Sequence, residues 1–291
     1  MAKQRVFPSL KILKEQFGSR HFALIPASYS QQQLDALGKA SMAVLGMDRK
    51  VLASLRYLIN PADEQTDVGV FFRAGENGRD NKCIMQIHPS CLTNYDWVKA
   101  MSDVRFRTWM HLALSLYFSS SEMASQVILL MQQEKADLYA LFFPNGQVQE
   151  FILRIVLYFK TPKNKGKLAR GHYDIGAVTL GLGECGPSGV AMGAGDDDLQ
   201  LYPHESGWST VMKGGALRQY MGNDPNGIWV PTWHEVREDD NSVVTDWLEE
   251  SLVSRIGFAL FCDFPGIQRM SVGQHVPYSY RANKKPPILG G

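Results

Sequence analysis

The 291-residue chain lacks several features that would assign it to a specialised class of protein. Its first residues contain no apolar stretch of the kind a secretory signal needs, and no run approaches the roughly 18 apolar residues of a membrane span. The four cysteines are scattered and form no CxxC pair, which disfavours a disulfide framework or a cysteine-based zinc site. We therefore expect a cytoplasmic protein with reduced thiols.

The sequence also lacks an excess of either charge. Thirty Lys and Arg stand against 29 Asp and Glu, so the formal net charge is +1. Near-neutrality gives no general attraction to nucleic acid or to an anionic membrane, and we expect neither as a partner. The 45% hydrophobic and 20% charged residues are typical of a globular protein of this length, whose oligomeric state the sequence leaves open.

The pattern of apolar residues changes in the middle of the chain. Residues 95–136 show helical spacing, whereas after about Gly146 short runs rich in Val, Ile, Leu and Tyr alternate with turn residues. We predict an α+β protein with a double-stranded β-helix (jelly roll) core at 147–264. A mainly helical part at 1–146 would pack against this core, followed by a C-terminal tail at 265–291. No linker separates these parts, so we expect one domain.

The segment Gly171-His172-Tyr173-Asp174 contains a candidate metal site. Alternate side chains of a strand share a face, so His172 and Asp174 can converge on one ion. Two imidazoles and one carboxylate suit Fe(II) and leave three coordination positions open. Because His-x-Asp arises by chance in many proteins, the interpretation needs a second histidine farther along the chain.

His234 is the strongest candidate among the seven histidines. It lies in Ile-Trp-Val-Pro-Thr-Trp-His-Glu-Val, which we predict to be the end of a strand that follows a turn. His21, His88 and His111 lie in or near the helical half without a suitably spaced carboxylate, and we expect them at the surface or in the core.

Five segments follow one another between residues 151 and 264. They are Leu153-Arg154-Ile155-Val156-Leu157-Tyr158, His172-Tyr173-Asp174, Asp198-Leu199-Gln200-Leu201 with Gly207-Trp208, Trp229-Val230-Pro231-Thr232-Trp233-His234, and Arg255-Ile256-Gly257-Phe258. In this order they resemble the isopenicillin N synthase-like branch of the Fe(II)/2-oxoglutarate-dependent oxygenases. The resemblance covers about 110 residues clearly and the N-terminal half only loosely.

The resemblance implies a role for each matching position. His172, Asp174 and His234 would ligate Fe(II), where O2 would also react. Arg255 would bind the distal carboxylate of the co-substrate 2-oxoglutarate, since a guanidinium pairs with a carboxylate through two hydrogen bonds. Gly257 stands where the family usually has a serine that assists, and Arg218, on a strand predicted at 216–220, is the fallback partner.

Arg255 has an alternative role as a surface ion pair with Glu249 or Glu250. The substrate pocket is the least specific part of the prediction, because aromatic side chains are more often core than pocket. The candidates for its walls are Tyr158, Trp208, Tyr220, Trp229, Trp233 and Phe261.

The implied activity is hydroxylation of an unactivated C–H bond in a small molecule, such as an amino acid or a natural-product intermediate, with release of succinate and CO2. Asp174 fills the space that a halide needs in related halogenases, so hydroxylation is favoured over halogenation, while desaturation and cyclisation stay open. Three alternatives remain. They are an iron oxidase or cyclase that does not use 2-oxoglutarate, a non-catalytic jelly-roll binding protein, and a zinc hydrolase with Glu235 as base.

Overall fold

The computed structural model describes residues 6–61, 66–73, 81–146, 151–160, 168–187, 189–202, 204–222, 227–237 and 246–263. The α-helices in these ranges are α1 (Leu10–Arg20), α2 (Gln31–Leu45), α3 (Arg49–Ser54), α4 (Tyr95–Ala100), α5 (Val104–Met131), α6 (Leu138–Phe142), α7 (Gly215–Met221) and α8 (Asp246–Glu249). The strands are β1 (Ala23–Pro26), β2 (Tyr57–Leu58), β3 (Asp67–Arg73), β4 (Lys82–Ile87), β5 (Ile152–Phe159), β6 (Ala169–His172), β7 (Val178–Cys185), β8 (Val190–Gly193), β9 (Gln200–Leu201), β10 (Trp208–Lys213), β11 (Trp233–Val236) and β12 (Val253–Cys262).

Two antiparallel sheets form the core of the fold. The larger sheet has the strand order β1-β10-β7-β12-β5-β4-β3-β2, and the smaller has the order β6-β11-β8-β9. All of the pairings within them are antiparallel, as the predicted jelly roll requires.

The two longest helices cover one face of the larger sheet. At the start of α2, the Ser30 hydroxyl accepts a hydrogen bond from the backbone N–H of Gln33, whose side chain accepts one from the backbone of Ser30 in return. The 28-residue helix α5 packs on α2, and Trp109 donates a 3.1 Å hydrogen bond to the Ser41 hydroxyl at this contact. Both helices bury an apolar stripe in the main core.

The N-terminal part, which we predicted to be mainly helical with strand-like runs at 22–25 and 68–72, contributes strands to the larger sheet as well as helices. Strands β1, β3 and β4 lie before residue 146 and are built into the larger sheet, where β4 pairs with β5. The sequence pattern therefore predicted α5, β1 and β3, but it did not predict β4 or that these strands join the sheet of the C-terminal core. The predicted tail at 265–291 lies outside the described residues.

The segment predicted as a strand at 216–220 is instead helix α7. Ala216, Leu217, Tyr220 and Met221 repeat at helical spacing and pack against the main core. Arg218 consequently lies on a helix and not on a strand.

The strands of the larger sheet separate a core face from an open face. On β5, Leu153, Ile155 and Leu157 are fully buried against the helical layer. Arg154 and Tyr158 alternate with them and face the opposite way, toward the smaller sheet. The functional site lies on this second face.

Lys213, at the end of β10, is a lysine buried in the protein interior. Its ammonium group donates a 2.6 Å hydrogen bond to the carbonyl of Ile228 and lies 4.7 Å from the ring centre of Phe17. Burial lowers the pKa of Lys213 from 10.5 to about 7, because the charged form loses its hydration.

We expect Lys213→Met to be more stabilising at neutral than at alkaline pH. The unfolded lysine binds more protons than the folded one between pH 7 and 10.5, so the stability of the wild type rises across that window. The free energy of unfolding of Lys213→Met relative to the wild type should fall by about 3–5 kcal/mol from pH 7 to pH 10.5. Urea unfolding of both proteins at several pH values measures these free energies. A free-energy difference between them that stays constant with pH would contradict the prediction.

No helix in the described ranges combines the length and apolar character that a membrane crossing requires.

Candidate functional site

The predicted triad comes together on the smaller sheet. His172 ends β6 and lies directly opposite His234 of β11 in the strand register. Side chains of directly opposed residues share a face, and the two imidazole ring centres are 4.4 Å apart. Asp174, two residues after His172, places its carboxylate next to the two imidazole rings.

The distances within the triad fit a shared metal ion. Asp174 Oδ1 lies 3.8 Å from Nε2 of His172 and 3.8 Å from Nε2 of His234. The three ligand atoms all lie within 4.8 Å of one another. Nitrogen and oxygen ligands bind divalent metals at about 2.0–2.2 Å, so a single ion placed among these atoms can contact all three after small adjustments. The donor set of two imidazoles and one carboxylate suits non-haem Fe(II).

Neighbouring groups orient each ligand. Nδ1 of His172 lies 2.7 Å from the carbonyl oxygen of Arg170, and Nδ1 of His234 lies 3.2 Å from that of Thr232. A carbonyl can only accept, so the proton of each neutral ring belongs on Nδ1 and Nε2 is left for a metal. The Thr179 hydroxyl donates a 2.6 Å hydrogen bond to Asp174 Oδ2 and fixes the other end of that carboxylate.

The electrostatics of the site favour a neutral His172 and an ionised Asp174. Burial, together with the nearby His234, lowers the pKa of His172 well below its ordinary value. Burial alone would raise the pKa of Asp174, but His234, His172 and the Thr179 hydroxyl together lower it. Neutral imidazole and ionised carboxylate are the forms that bind a metal, so His172 and Asp174 are already in their metal-binding forms at neutral pH.

Backbone contacts hold the loop that carries Asp174. The N–H of Gly214 donates to the carbonyl of Ala177, and that of Gly215 donates to the carbonyl of Asp174, each at 2.8 Å. A Cβ atom on Gly214 would lie 1.9 Å from the carbonyl oxygen of Gly176. Glycine is therefore required at 214, where two chain segments approach too closely for a side chain.

The triad forms part of the wall of a cavity between the two sheets. The cavity has a volume of about 570 Å³, within the range of small-molecule sites. Its walls combine apolar side chains such as Val156, Met192 and Phe261 with a few charged ones. Such a cavity can hold a small organic molecule next to a metal.

Arg255 is buried at the start of β12 and already has a carboxylate partner. Its Nε donates a 2.9 Å hydrogen bond to Glu184 Oε2, and its Nη2 contacts the same oxygen. Burial alone would lower the pKa of Arg255, but the charge of Glu184 raises it. The ion pair is thus internal and does not involve Glu249 or Glu250. A Cβ on Gly257 would lie 3.5 Å from Nη1 of Arg255, which is an ordinary van der Waals contact, so the ion pair does not require a glycine at this position.

A β-bulge brings Glu184 to Arg255. Phe258 of β12 pairs with Gly183 of β7, but the next residue, Ala259, pairs with Gly181. Leu182 is the extra residue of the bulge, and Gly183 adopts φ +127°, which side-chain-bearing residues rarely adopt. Side chains of β7 alternate between the core face and the cavity face, and the bulge shifts this alternation by one residue. Glu184 therefore faces the cavity.

The predicted pocket residues divide into two groups. Tyr158 and Phe261 line the cavity. Three others lie elsewhere: Trp208 pairs with Pro26 at the start of β10, Tyr220 lies beneath Lys135, and Trp229 packs on Phe17. Aromatic character alone did not distinguish the two groups.

Three further predicted residues also lie outside the cavity. Trp233 donates a 2.9 Å hydrogen bond to Asp196, and Arg218 is buried on α7. Glu235, the base of the zinc hydrolase alternative, is fully buried and contacts Arg237. Glu235 therefore points away from the triad, as strand alternation predicts.

Three residues of the site were not anticipated. Thr179 and Glu184 lie in an ordinary-looking apolar strand, and neither has a distinctive spacing in the sequence. Arg154 could have been noticed in the sequence, because it is the one charged residue within the apolar run 151–159. A charge in such a run indicates a strand face that does not belong to the core.

Neither a protein-family model nor a curated protein matches the sequence. Solved structures do match over most of the chain. A protein of Caulobacter crescentus described as belonging to the 2OG-Fe(II) oxygenase family has a TM-score of 0.62 at 18% identity, covering 88% of this chain and 82% of that one. A full-length Neurospora crassa protein, solved in complex with alpha-KG, has a TM-score of 0.62 at 14% identity, covering 89% and 79%.

A plant structure shows the same likeness. The dioxygenase for auxin oxidation 1 of Arabidopsis thaliana, in complex with 2-oxoglutarate, has a TM-score of 0.58 at 14% identity, covering 90% of this chain and 92% of that one. At such low identities the likeness concerns the fold. The chain has the fold of the Fe(II)/2-oxoglutarate oxygenases.

Proposed function

We propose that this protein is a non-haem Fe(II)- and 2-oxoglutarate-dependent oxygenase that acts on a small molecule. The observation that carries the proposal is the convergence of His172, Asp174 and His234 in the wall of a 570 Å³ cavity. The similar structures from Neurospora and Arabidopsis are complexes with alpha-KG and 2-oxoglutarate, held within the same fold. The cavity is large enough for co-substrate and substrate together.

The residues of the chain have separate tasks in this proposal. His172, Asp174 and His234 would hold Fe(II), and Arg255 would bind the distal carboxylate of 2-oxoglutarate. O2 would supply the oxidising equivalents, and Fe(II) would activate it with two electrons taken from 2-oxoglutarate. One oxygen atom would enter succinate as CO2 is released, and the other would be inserted into a C–H bond of the substrate. The protein supplies the geometry and a cavity that limits water. We propose hydroxylation as the outcome, because Asp174 occupies the coordination position that halogenation would need.

Glu184 imposes a condition on co-substrate binding. It occupies two of the N–H groups of Arg255 and lies in the cavity wall. A second carboxylate brought to the same guanidinium would meet its negative charge. The distal carboxylate of 2-oxoglutarate must therefore displace Glu184 or share Arg255 with it.

Anaerobic titration of the metal-free protein with Fe(II), followed by 2-oxoglutarate, tests the proposal. We expect a weak visible absorption band when 2-oxoglutarate chelates the iron, and no band in His172→Ala. His111→Ala, which removes an exposed imidazole on α5, is the matched control and should retain the band.

The other outcomes of this titration are also informative. Iron binding without a band would favour the oxidase that does not use 2-oxoglutarate. Absence of iron binding by the wild type would refute the proposal.

A further inference from the structure

A second cationic position lies in the cavity, away from Arg255. Arg154 of β5 faces the cavity, two strand positions from Val156 and four from Tyr158. Tyr158 is paired with Arg255, whereas Arg154 is paired with Ala259. The backbone positions of Arg154 and Arg255 are thus four residues apart along the sheet, which corresponds to about 13 Å at about 3.3 Å per residue. Their backbone positions are therefore separate, and the guanidinium of Arg255 is held by Glu184.

The guanidinium of Arg154 is held in place by neutral groups. Its Nε donates a 2.7 Å hydrogen bond to Gln86 Oε1, and the amide of Gln86 donates in turn to the carbonyl of Asp67. The guanidinium carbon lies 4.1 Å from the centre of the Phe261 ring. These contacts orient the group without neutralising it.

Among the described residues, no carboxylate lies within ion-pair distance of Arg154. Its electrostatic partners are Asp174, which is attractive, and Arg73, which is repulsive and lines the same cavity. Burial lowers the pKa of Arg154 to about 10, so the group stays charged at neutral pH. A half-buried cation without a paired carboxylate carries a desolvation cost, and an anionic ligand would relieve that cost.

Arg154 and Arg255 thus differ in how their charges are balanced. Arg255 is neutralised by Glu184, whereas the end of the cavity with Arg154 has no carboxylate at ion-pair distance from the guanidinium among the described residues. This end is also the one next to the triad, because Thr179, which binds Asp174, pairs with Phe261. Its other walls include the apolar side chains of Ile84, Ile152 and Val156.

We propose that Arg154 binds a carboxylate of the primary substrate and that the substrate is a small organic acid with an apolar body. The proposal rests on the proposed function. Arg154 fixes the acid at the triad end of the cavity, and the apolar walls receive the remainder of the molecule. A co-substrate that reaches Arg255 leaves this position free for a second anion.

Binding of matched acids and amides tests the inference without turnover. The probes are phenylacetate, hexanoate and cinnamate, each compared with its primary amide by calorimetry on the metal-free protein. We expect the wild type to prefer at least one acid over its amide by about 30-fold or more. In Arg154→Gln that preference should disappear, in Arg154→Lys it should be partly retained, and in Arg107→Gln, an exposed arginine of α5, it should be unchanged.

Thermal unfolding of each variant separates loss of binding from loss of folding. A variant that melts like the wild type yet has lost the preference supports the inference. Equal binding of acids and amides by the wild type, or no binding of either, overturns it.

Titration of Arg154→Gln with 2-oxoglutarate separates this inference from the proposed function. Unchanged affinity for 2-oxoglutarate is expected. A loss confined to 2-oxoglutarate would assign Arg154 to the co-substrate and overturn the inference, whereas failure of the wild type to bind Fe(II) and 2-oxoglutarate would refute only the proposed function.

Discussion

Asp174→Ala is expected to abolish tight Fe(II) binding and to reduce succinate release by at least about 1,000-fold. Asp174 is the single carboxylate of the triad and lies 3.8 Å from both imidazoles. Its removal also leaves the hydroxyl of Thr179 without its acceptor in a buried position. Iron stoichiometry after desalting and succinate release under air are the two measurements.

Two further variants show whether this effect is specific. Thr179→Val leaves all three ligands but removes the group that orients Asp174, so we expect a loss of about 10- to 100-fold in iron affinity. Asp197→Ala removes an exposed carboxylate between β8 and β9 and should behave like the wild type. Full iron occupancy in Asp174→Ala would show that the triad is not the metal site.

Arg255→Ala is expected to destabilise the folded protein by about 3–5 kcal/mol, because it leaves the charge of Glu184 buried without a partner. Both side chains of this ion pair are almost fully buried. We also expect the variant to lose measurable binding of 2-oxoglutarate. Urea unfolding and the Fe(II)/2-oxoglutarate absorption band measure the two effects.

Glu184→Gln removes the competing charge and keeps Arg255. The amide oxygen can still accept a hydrogen bond, so the stability loss should be smaller than in Arg255→Ala. The distal carboxylate of 2-oxoglutarate then meets a guanidinium without a bound anion, and its affinity should rise by about tenfold or more. Weaker binding in Glu184→Gln would show that Glu184 assists the co-substrate instead of competing with it.

The triad could be predicted from the sequence because its ligands obey local rules. His172 and Asp174 need only strand alternation to share a face. His234 lies on a strand as predicted, but it is the second residue of β11 and not the end of a strand at 228–234. Their convergence depends on the pairing of β6 with β11, which the family resemblance supplied. Periodicity alone would have left several histidines as equal candidates.

Glu184 could not be predicted in the same way. Counting alternate residues along β7 from Thr179 places Gly181 and Gly183 on the cavity face and Glu184 on the core face. The bulge at Leu182 reverses this, and a bulge depends on the register with β12 rather than on the residues of one strand. The partner of Arg255 therefore becomes visible only when the sheet is assembled.

Helix α7 and the place of β3 and β4 in the larger sheet could not be predicted from local sequence pattern. A short apolar run at 216–220 fits a strand or a helix equally well, and tertiary packing decides. β3 and β4 precede the long helix α5 in the chain but pair in the same sheet as β5, which follows it. Membership of that sheet is a long-range property.

The pairing of His172 with His234 has a consequence for the unfolded chain. The two residues are separated by about sixty positions, and only a short run of backbone hydrogen bonds joins β6 to β11. An ion bound by both imidazoles would close that loop as a covalent cross-link does, restricting the conformations open to the denatured ensemble if it stayed bound there. Bound only to the native state, it would stabilise by mass action instead, so the melting temperature would rise with the concentration of free metal.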